Sequence, residues 1–352
     1  MSWEYMILIL LPMVERLSSC PSLCTCDNDN VTVDCESAGL NFLPFDIPKT
    51  VNTLQLNNNS IQLESNSFWN TPDLQVLNLE MNNLSLLPNN LLAWVPRLTV
   101  LYLPRNNLSH IPNDFFNNAT NLHYLHLNEN RLVNISDQLF FPLKNLRALI
   151  LSHNCLHVVS PDTFLGLGSL IMLSLSFNHL TVLPETLFEP IQNLGLCELN
   201  NNSLESLPEK IFSGLPKLIW LTLTNNRIRE VPSKLFNATS LHRLTLAGNH
   251  LKTLPPGLLD KSKNIFHLDL RGNQLEFVPD GIFSPLANLT TIKLHGNPWR
   301  CDSGNNYLRC WLKQHGSAFR SGNIAKYVIC HTPEHLKGYA MVNVTDGEMG
   351  EC

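Results

Sequence analysis

The chain is short of charge, of any basic excess and of long apolar runs. Only 15% of its 352 residues are Asp, Glu, Lys or Arg, and the formal net charge is −5. That balance leaves no global positive field to draw nucleic acid or an acidic membrane surface, so neither is an expected partner. Past the first residues no apolar stretch is long enough to cross a bilayer. No hydrophobic tail precedes Cys352, so neither a membrane span nor a lipid-anchor signal is expected. Absent too are His-Glu-x-x-His, Gly-x-Ser-x-Gly and a phosphate-binding glycine loop, the local signatures of a metalloprotease, a serine hydrolase and a nucleotide site. Asn and Leu take the place of charge, and their order along the chain is the strongest signal present.

The template L-x-x-L-x-L-x-x-N-x-L recurs throughout. LQVLNLEMNNL from Leu74, LHYLHLNENRL from Leu122, LIMLSLSFNHL from Leu170 and LHRLTLAGNHL from Leu241 are four of its copies. Its asparagine falls at Asn59, Asn82, Asn106, Asn130, Asn154, Asn178, Asn202, Asn226, Asn249, Asn273 and Asn297, a step of 24 residues with two steps of 23. Such a period marks a solenoid, in which each unit buries its apolar side only by stacking on its neighbours. The leucines at the fourth and sixth positions alternate, so both point to one side of a short strand. Successive strands then pair into a parallel sheet. The asparagine sits where the chain bends after the strand and can satisfy backbone groups that the bend leaves unpaired. The second half of the unit follows the form Leu-Pro-x-x-x-Phe, as in Leu183-Pro184 with Phe188, with Val231-Pro232 and Phe236 a close variant. Its phenylalanines Phe116, Phe140, Phe164, Phe188, Phe212, Phe236 and Phe283 read as a stacked core spine on the convex side.

The fold class expected is therefore α/β: a leucine-rich-repeat solenoid with a curved parallel sheet on the concave side, loops and short helical turns on the convex side, and a disulfide cap at each end. Residues 1–19 read as a secretory signal, with the apolar run Met6 to Val14 and the small residues Leu17-Ser18-Ser19 before Cys20, although Glu4 stands where a basic residue is usual. Residues 20–50 form a cysteine-rich cap, 51–296 about ten units of 23–24 residues plus a partial one, and 297–352 a second cap. Export fits ten Asn-X-Ser/Thr sequons, at Asn30, Asn58, Asn83, Asn107, Asn118, Asn134, Asn201, Asn237, Asn288 and Asn343. It fits the cysteines as well, which cluster at the two ends as Cys20, Cys24, Cys26, Cys35 and Cys301, Cys310, Cys330, Cys352. Each set of four permits three pairings. Cys197 replaces a strand leucine and reads as core. Cys155 follows a repeat asparagine at a more exposed position and is either an inert thiol or one that pairs with another chain.

On a strand of this kind the third and fifth repeat positions face away from the core. The third column runs from Thr53 to Thr291 and the fifth from Gln55 to Lys293. Their middle is apolar and aromatic, with Tyr102, Tyr124, Ile150, Met172 and Trp220, joined by Phe177 from the following turn. Their last third is charged, with Arg243, His267, Asp269 and Lys293. A solvent-facing sheet has no folding need for Tyr, Met and Trp, whereas interface cores are enriched in them. Ordinary exposed surface is the alternative, since scattered apolar residues are normal there. His126 shares a strand with Tyr124, as His267 does with Asp269. Zinc needs three or four convergent ligands, so these pairs read as polar decoration, and no metal or cofactor is expected.

The whole chain after the leader resembles the secreted, typical-repeat class of leucine-rich-repeat proteins. The 24-residue units, the GNPWRCD entry to the last cap, Trp311-Leu312 and the CHTPEHLKG segment resemble leucine-rich alpha-2-glycoprotein and the beta-type phospholipase A2 inhibitors of snake serum. The four-cysteine N-terminal cap is closer to those of the carboxypeptidase N large subunit and platelet glycoprotein V. By this resemblance Cys20 pairs with Cys26, Cys24 with Cys35, Cys301 with Cys330 and Cys310 with Cys352. The usual C-terminal cap has a second cysteine two residues after the first, where this chain has Ser303. The resemblance implies a non-enzymatic extracellular glycoprotein that engages a protein ligand on its concave face as inhibitor or carrier. The alternatives are a stabilising subunit of a secreted enzyme and, in another class, an enzyme using the concave histidines.

Overall fold

The computed structural model describes residues 20–27, 29, 31–319 and 322–352. The leader read in residues 1–19 and the sequon at Asn30 lie outside them. Eleven three-residue strands, one per repeat, run in chain order: β3 (Thr53–Gln55), β4 (Val76–Asn78), β5 (Val100–Tyr102), β6 (Tyr124–His126), β7 (Ala148–Ile150), β8 (Met172–Ser174), β9 (Leu196–Glu198), β10 (Trp220–Thr222), β11 (Arg243–Thr245), β12 (His267–Asp269) and β13 (Thr291–Lys293). Each pairs in parallel only with its sequence neighbours, as a solenoid requires. The sheet differs from the purely parallel one expected, because the N-terminal cap adds two strands to it, one of them antiparallel. Strand β2 (Thr32–Asp34) pairs in parallel with β3, and β1 (Thr25–Cys26) pairs antiparallel with β2. The cap thereby covers the first edge of the sheet with its own backbone. The convex side is made of loops and short helical turns, as expected. Within the repeats it is built of turns, with one 3₁₀ helix at Leu91–Trp94 among the described residues.

The repeat asparagine performs the backbone satisfaction inferred from its position. Asn178 donates from Nδ2 to the carbonyls of Leu151 and Leu175, each at 3.0 Å, and its Oδ1 accepts the Leu156 N–H at 3.0 Å. One buried amide therefore ties two adjacent turns together. Asn130, Asn154, Asn202 and Asn226 repeat the arrangement. The residue just before each asparagine makes the corner. At Asn58, Met81, Arg105, Glu129, His153, Phe177, Asn201 and Asn225 it has a left-handed conformation with φ between 53° and 57°. In the last three units the same corner is Gly248, Gly272 and Gly296. A side chain in this conformation costs about 1 kcal/mol or more. Ladder hydrogen bonds from these N–H groups to the next turn, such as His153 N–H to Ser176 O at 2.9 Å, hold it in place.

Phe116, Phe140, Phe164, Phe188, Phe212, Phe236 and Phe283 are all buried. Phe164, Phe188, Phe212 and Phe236 stack at centroid separations of 6.4, 5.9 and 6.3 Å. Phe68 is an earlier buried member that the repeat template did not include. The spine ends on the C-terminal cap, where Phe283 meets Trp311 at 4.9 Å. Trp311 belongs to α1 (Asn306–His315), whose Arg309 is fully buried. That cation is held by Asp346 Oδ1 at 2.6 Å, by the Val344 carbonyl at 2.7 Å and by the Gly350 carbonyl. A buried charge persists only when so satisfied. Disulfides join Cys20 to Cys26, Cys24 to Cys35, Cys301 to Cys330 and Cys310 to Cys352. Cys197 is fully buried and Cys155 half-buried, both free; burial drives the Cys197 thiol far above its ordinary range.

Phe188→Ala should destabilise the protein by about 3–5 kcal/mol, from lost transfer energy plus the cavity left in the spine. Asn178→Ala leaves one N–H and two carbonyls without their partner. At roughly 1–3 kcal/mol per orphaned group it should cost at least as much, although it removes only a small side chain. Denaturant unfolding monitored by circular dichroism measures both.

Candidate functional site

The strand register decides which concave side chains are neighbours. In the third column it aligns Tyr124, Ala148, Met172, Leu196, Trp220, Arg243 and His267 across β6 to β12. In the fifth column it aligns Tyr102, His126 and Ile150 across β5 to β7. Adjacent strands lie roughly 4.8 Å apart, so each side chain contacts the same position of the next unit. Tyr102 and His126 meet at a ring separation of 4.7 Å, and the Arg243 guanidinium lies 4.6 Å above the Trp220 ring. Tyr124 is exposed, while Tyr102, His126, Ile150, Met172, Trp220, Arg243 and His267 are half-buried against each other. Polar side chains tie the N-terminal strands together instead, as where Asn78 Nδ2 donates to Gln55 Oε1 at 2.8 Å.

Two members of the sequence-derived set are placed differently. Phe177 is not on the sheet. It occupies the left-handed corner after β8, which turns it to the rim, where it stacks on His153 at 4.0 Å. Asp269 is on the sheet, but its side chain is only 4% exposed and is shared between Arg271 at 3.3 Å and Lys293 at 3.5 Å. It positions those two cations rather than offering a contact surface of its own.

The register also adds residues that the column reading left out. Ile171, Ile219 and Phe266 stand at the second repeat position, just before their strands, and all three are exposed. They border Met172, Trp220 and His267 in sequence and widen the apolar band on one flank. The available signal was a change of chemistry down one column, where Gln75, Thr99, His123 and Arg147 precede them.

Three buried nitrogens on consecutive strands have no hydrogen-bond partner among the described residues: Trp220 Nε1, Arg243 Nε and His267 Nε2. Burial holds the His126 imidazole below its ordinary pKa of 6.5. His267 is lowered by burial first, then by Arg243 and Lys293, with Asp269 opposing. Among the described residues no three His, Cys, Asp or Glu side chains converge on a point that would hold a metal ion, and no helix is long and apolar enough to cross a membrane. No described sequon lies on the concave columns. Asn58 and Asn201 sit at the corner after the strand, and Asn83 and Asn107 just after the repeat asparagine; Asn107 and Asn201 are half-buried and the other two exposed. Asn118, Asn134, Asn237, Asn288 and Asn343 are exposed elsewhere.

A sequence model of the family described as "Leucine rich repeat" matches residues 96–156, 120–180, 146–196, 192–238 and 239–298, which together exceed half of the chain. The chain is similar to Peroxidasin homolog of Caenorhabditis briggsae, 40% identical over 57 residues that make up 16% of this chain and 4% of that protein. It is similar to Reticulon-4 receptor-like 2 of Rattus norvegicus, 36% identical over 83 residues, 23% of this chain and 19% of that one. The matched segments thus span a small part of either relative. Among solved structures it is similar to a chain of the octameric complex of Latrophilin 3 (Lec, Olf), Unc5D (Ig, Ig2, TSP1) and FLRT2 (LRR). There the TM-score is 0.67 at 25% identity, covering 93% of this chain and 98% of that chain.

A folded-state pKa below the unfolded value means that the neutral imidazole supplies stability above about pH 6.5, lost as pH falls through the lowered value. A variant carrying His126→Gln and His267→Gln should therefore lose less melting temperature than the wild type between about pH 7.5 and about pH 5. Differential scanning calorimetry at the two pH values reads the difference, and equal losses would remove both histidines from the pH response.

Proposed function

The chain belongs to the leucine-rich-repeat family, and on that premise we propose that it is an extracellular glycoprotein that binds a protein ligand on its concave face. The observation that carries the reading is the run of Tyr102, Tyr124, Ile150, Met172, Leu196 and Trp220, one on each of β5 to β10, across a sheet whose opposite side already supplies the core. Folding asks nothing of these side chains, whereas aromatic and Met side chains dominate the energetic centre of protein interfaces. Support for an extracellular setting comes from the disulfides near both ends and from the leader read at residues 1–19. The sequons add to it, and their absence from the strand columns leaves the face open to a macromolecule. A concave sheet of short strands offers a broad curved surface and no enclosed cleft, which suits a folded partner better than a small substrate. In its finer form, the ligand is a soluble protein that this one inhibits or carries. That is the role implied by the likeness to leucine-rich alpha-2-glycoprotein and the beta-type phospholipase A2 inhibitors.

The test is affinity capture from extracellular fluid of the source animal, comparing the wild type with a Tyr124→Ala, Trp220→Ala double variant and identifying captured proteins by mass spectrometry. The double variant should keep its melting temperature within a few degrees and lose the ligand, each truncation weakening binding by about 2 kcal/mol or more. A ligand held equally by both proteins would move the site off the concave face. Recovery of a stoichiometric enzyme whose activity survives in the complex would favour a stabilising subunit over an inhibitor.

A further inference from the structure

At its C-terminal end the concave sheet meets the cap, and a groove of about 410 Å³ opens between them. One wall is β13 and its continuation, from Ile292 to His295; the other is the cap segment carrying Ile324, Lys326, Tyr327 and Ile329, and Arg271 lines it as well. Tyr327 is 63% exposed, large for an aromatic side chain with no neighbour to cover it. Arg271, Lys293 and Lys326 bring three cations to this lining, which contains no carboxylate. The acid paired with two of them, Asp269, is buried and divided between Arg271 and Lys293. The groove is thus locally cationic and apolar at once, in a chain whose net charge is −5.

A second feature concerns access. Eight units carry a side chain at the left-handed corner after the strand, but the last three carry Gly248, Gly272 and Gly296. A Cβ at Gly296 would stand 3.3 Å from the Gly272 backbone nitrogen, and at Gly248 it would run into the Asn225 side chain. Gly272 and Gly296, with Arg271 and His295, floor a shallow depression on the same rim, and none of these corners holds a sequon. The rim beside the groove is therefore bare backbone, low enough for an extended chain to pass over it.

We propose that this groove seats an extended segment of a protein partner in which an acidic residue stands beside a bulky apolar one. The acid is held by the cations Arg271, Lys293 and Lys326, and the apolar side chain packs on Tyr327 and Ile329. The inference rests on the reading of the molecule as a protein binder and names the partner's chemistry at one end of its face. A sulfated polysaccharide would satisfy the cations alone and leave Tyr327 and Ile329 wet, so the apolar wall favours a peptide.

The test is a phage-displayed library of random linear peptides selected on the intact protein. Selected peptides are synthesised with a fluorescent label and titrated by anisotropy against wild type, Lys326→Glu and Tyr327→Ala, with a heparin oligosaccharide titrated in parallel. Both substituted side chains are exposed, so folding should be unaffected. The expected peptides carry Asp or Glu next to Leu, Ile or Phe, and each variant weakens them by about tenfold or more. Selection of no peptide, of basic peptides, or of peptides indifferent to both variants overturns the proposal. Heparin binding that is lost in Lys326→Glu and unchanged in Tyr327→Ala, with no such peptide, overturns it in favour of the polysaccharide. The Tyr124→Ala, Trp220→Ala protein should still bind the peptides at full affinity, so a failure of the groove and a failure of the concave-face reading give different results.

Discussion

One hydrogen-bonded side chain makes the rest of the molecule consistent. A strand of three residues cannot organise a turn of 24 residues by its ladder alone, and the corner after each strand would leave buried carbonyls and N–H groups without partners. The repeat asparagine supplies them all from one amide, donating to one carbonyl of its own turn and one of the turn before, and accepting an N–H from the turn before, as at Asn178. Leu could not replace it, because an apolar side chain of that size leaves the polar groups orphaned. Asp could not replace it either, because a carboxylate cannot donate. The left-handed residue before it is the geometric cost of pointing that amide inward.

With polar groups satisfied inside and leucines filling the interior, the core does not need the apolar and aromatic side chains of the concave face. The contrast between the two aromatic sets follows from this. Phe188 and its neighbours are fully covered and stack on one another because the turn behind the sheet must be filled. Tyr124 and Trp220 lie on the opposite surface, in one column of the sheet. The same division places charge. The fully buried Arg309 is spent on fastening the C-terminal cap, while Arg243, Lys293 and Lys326 remain at the surface.

Much of the architecture was legible in the residue pattern, because a repeat states its answer many times. The strand positions, the inward leucines, the asparagine role and the phenylalanine spine all follow from period and chemistry. What the period could not state lay where it lapses. The N-terminal cap carries no template, so its two added strands and the antiparallel β1 were not visible. Phe177 was placed with the concave set by its proximity in sequence, but one left-handed corner carries it to the rim. Asp269 was in the right column, yet only the geometry shows that Arg271 and Lys293 enclose it.

The sequence by itself determined the class of fold, the direction in which each strand residue points and the identity of the columns, since these depend on local alternation and on a period repeated eleven times. Only the tertiary structure decided which residues from different turns stand together. The apolar flank of Ile171, Ile219 and Phe266, the stacking of Arg243 on Trp220 and the groove between β13 and Tyr327 join positions from separate turns and, in the last case, from the cap. The first two follow from strand register, and the groove from how the last turn meets a cap with no repeat of its own, a docking set by Phe283, Trp311 and the buried Arg309. No local rule of alternation encodes that contact.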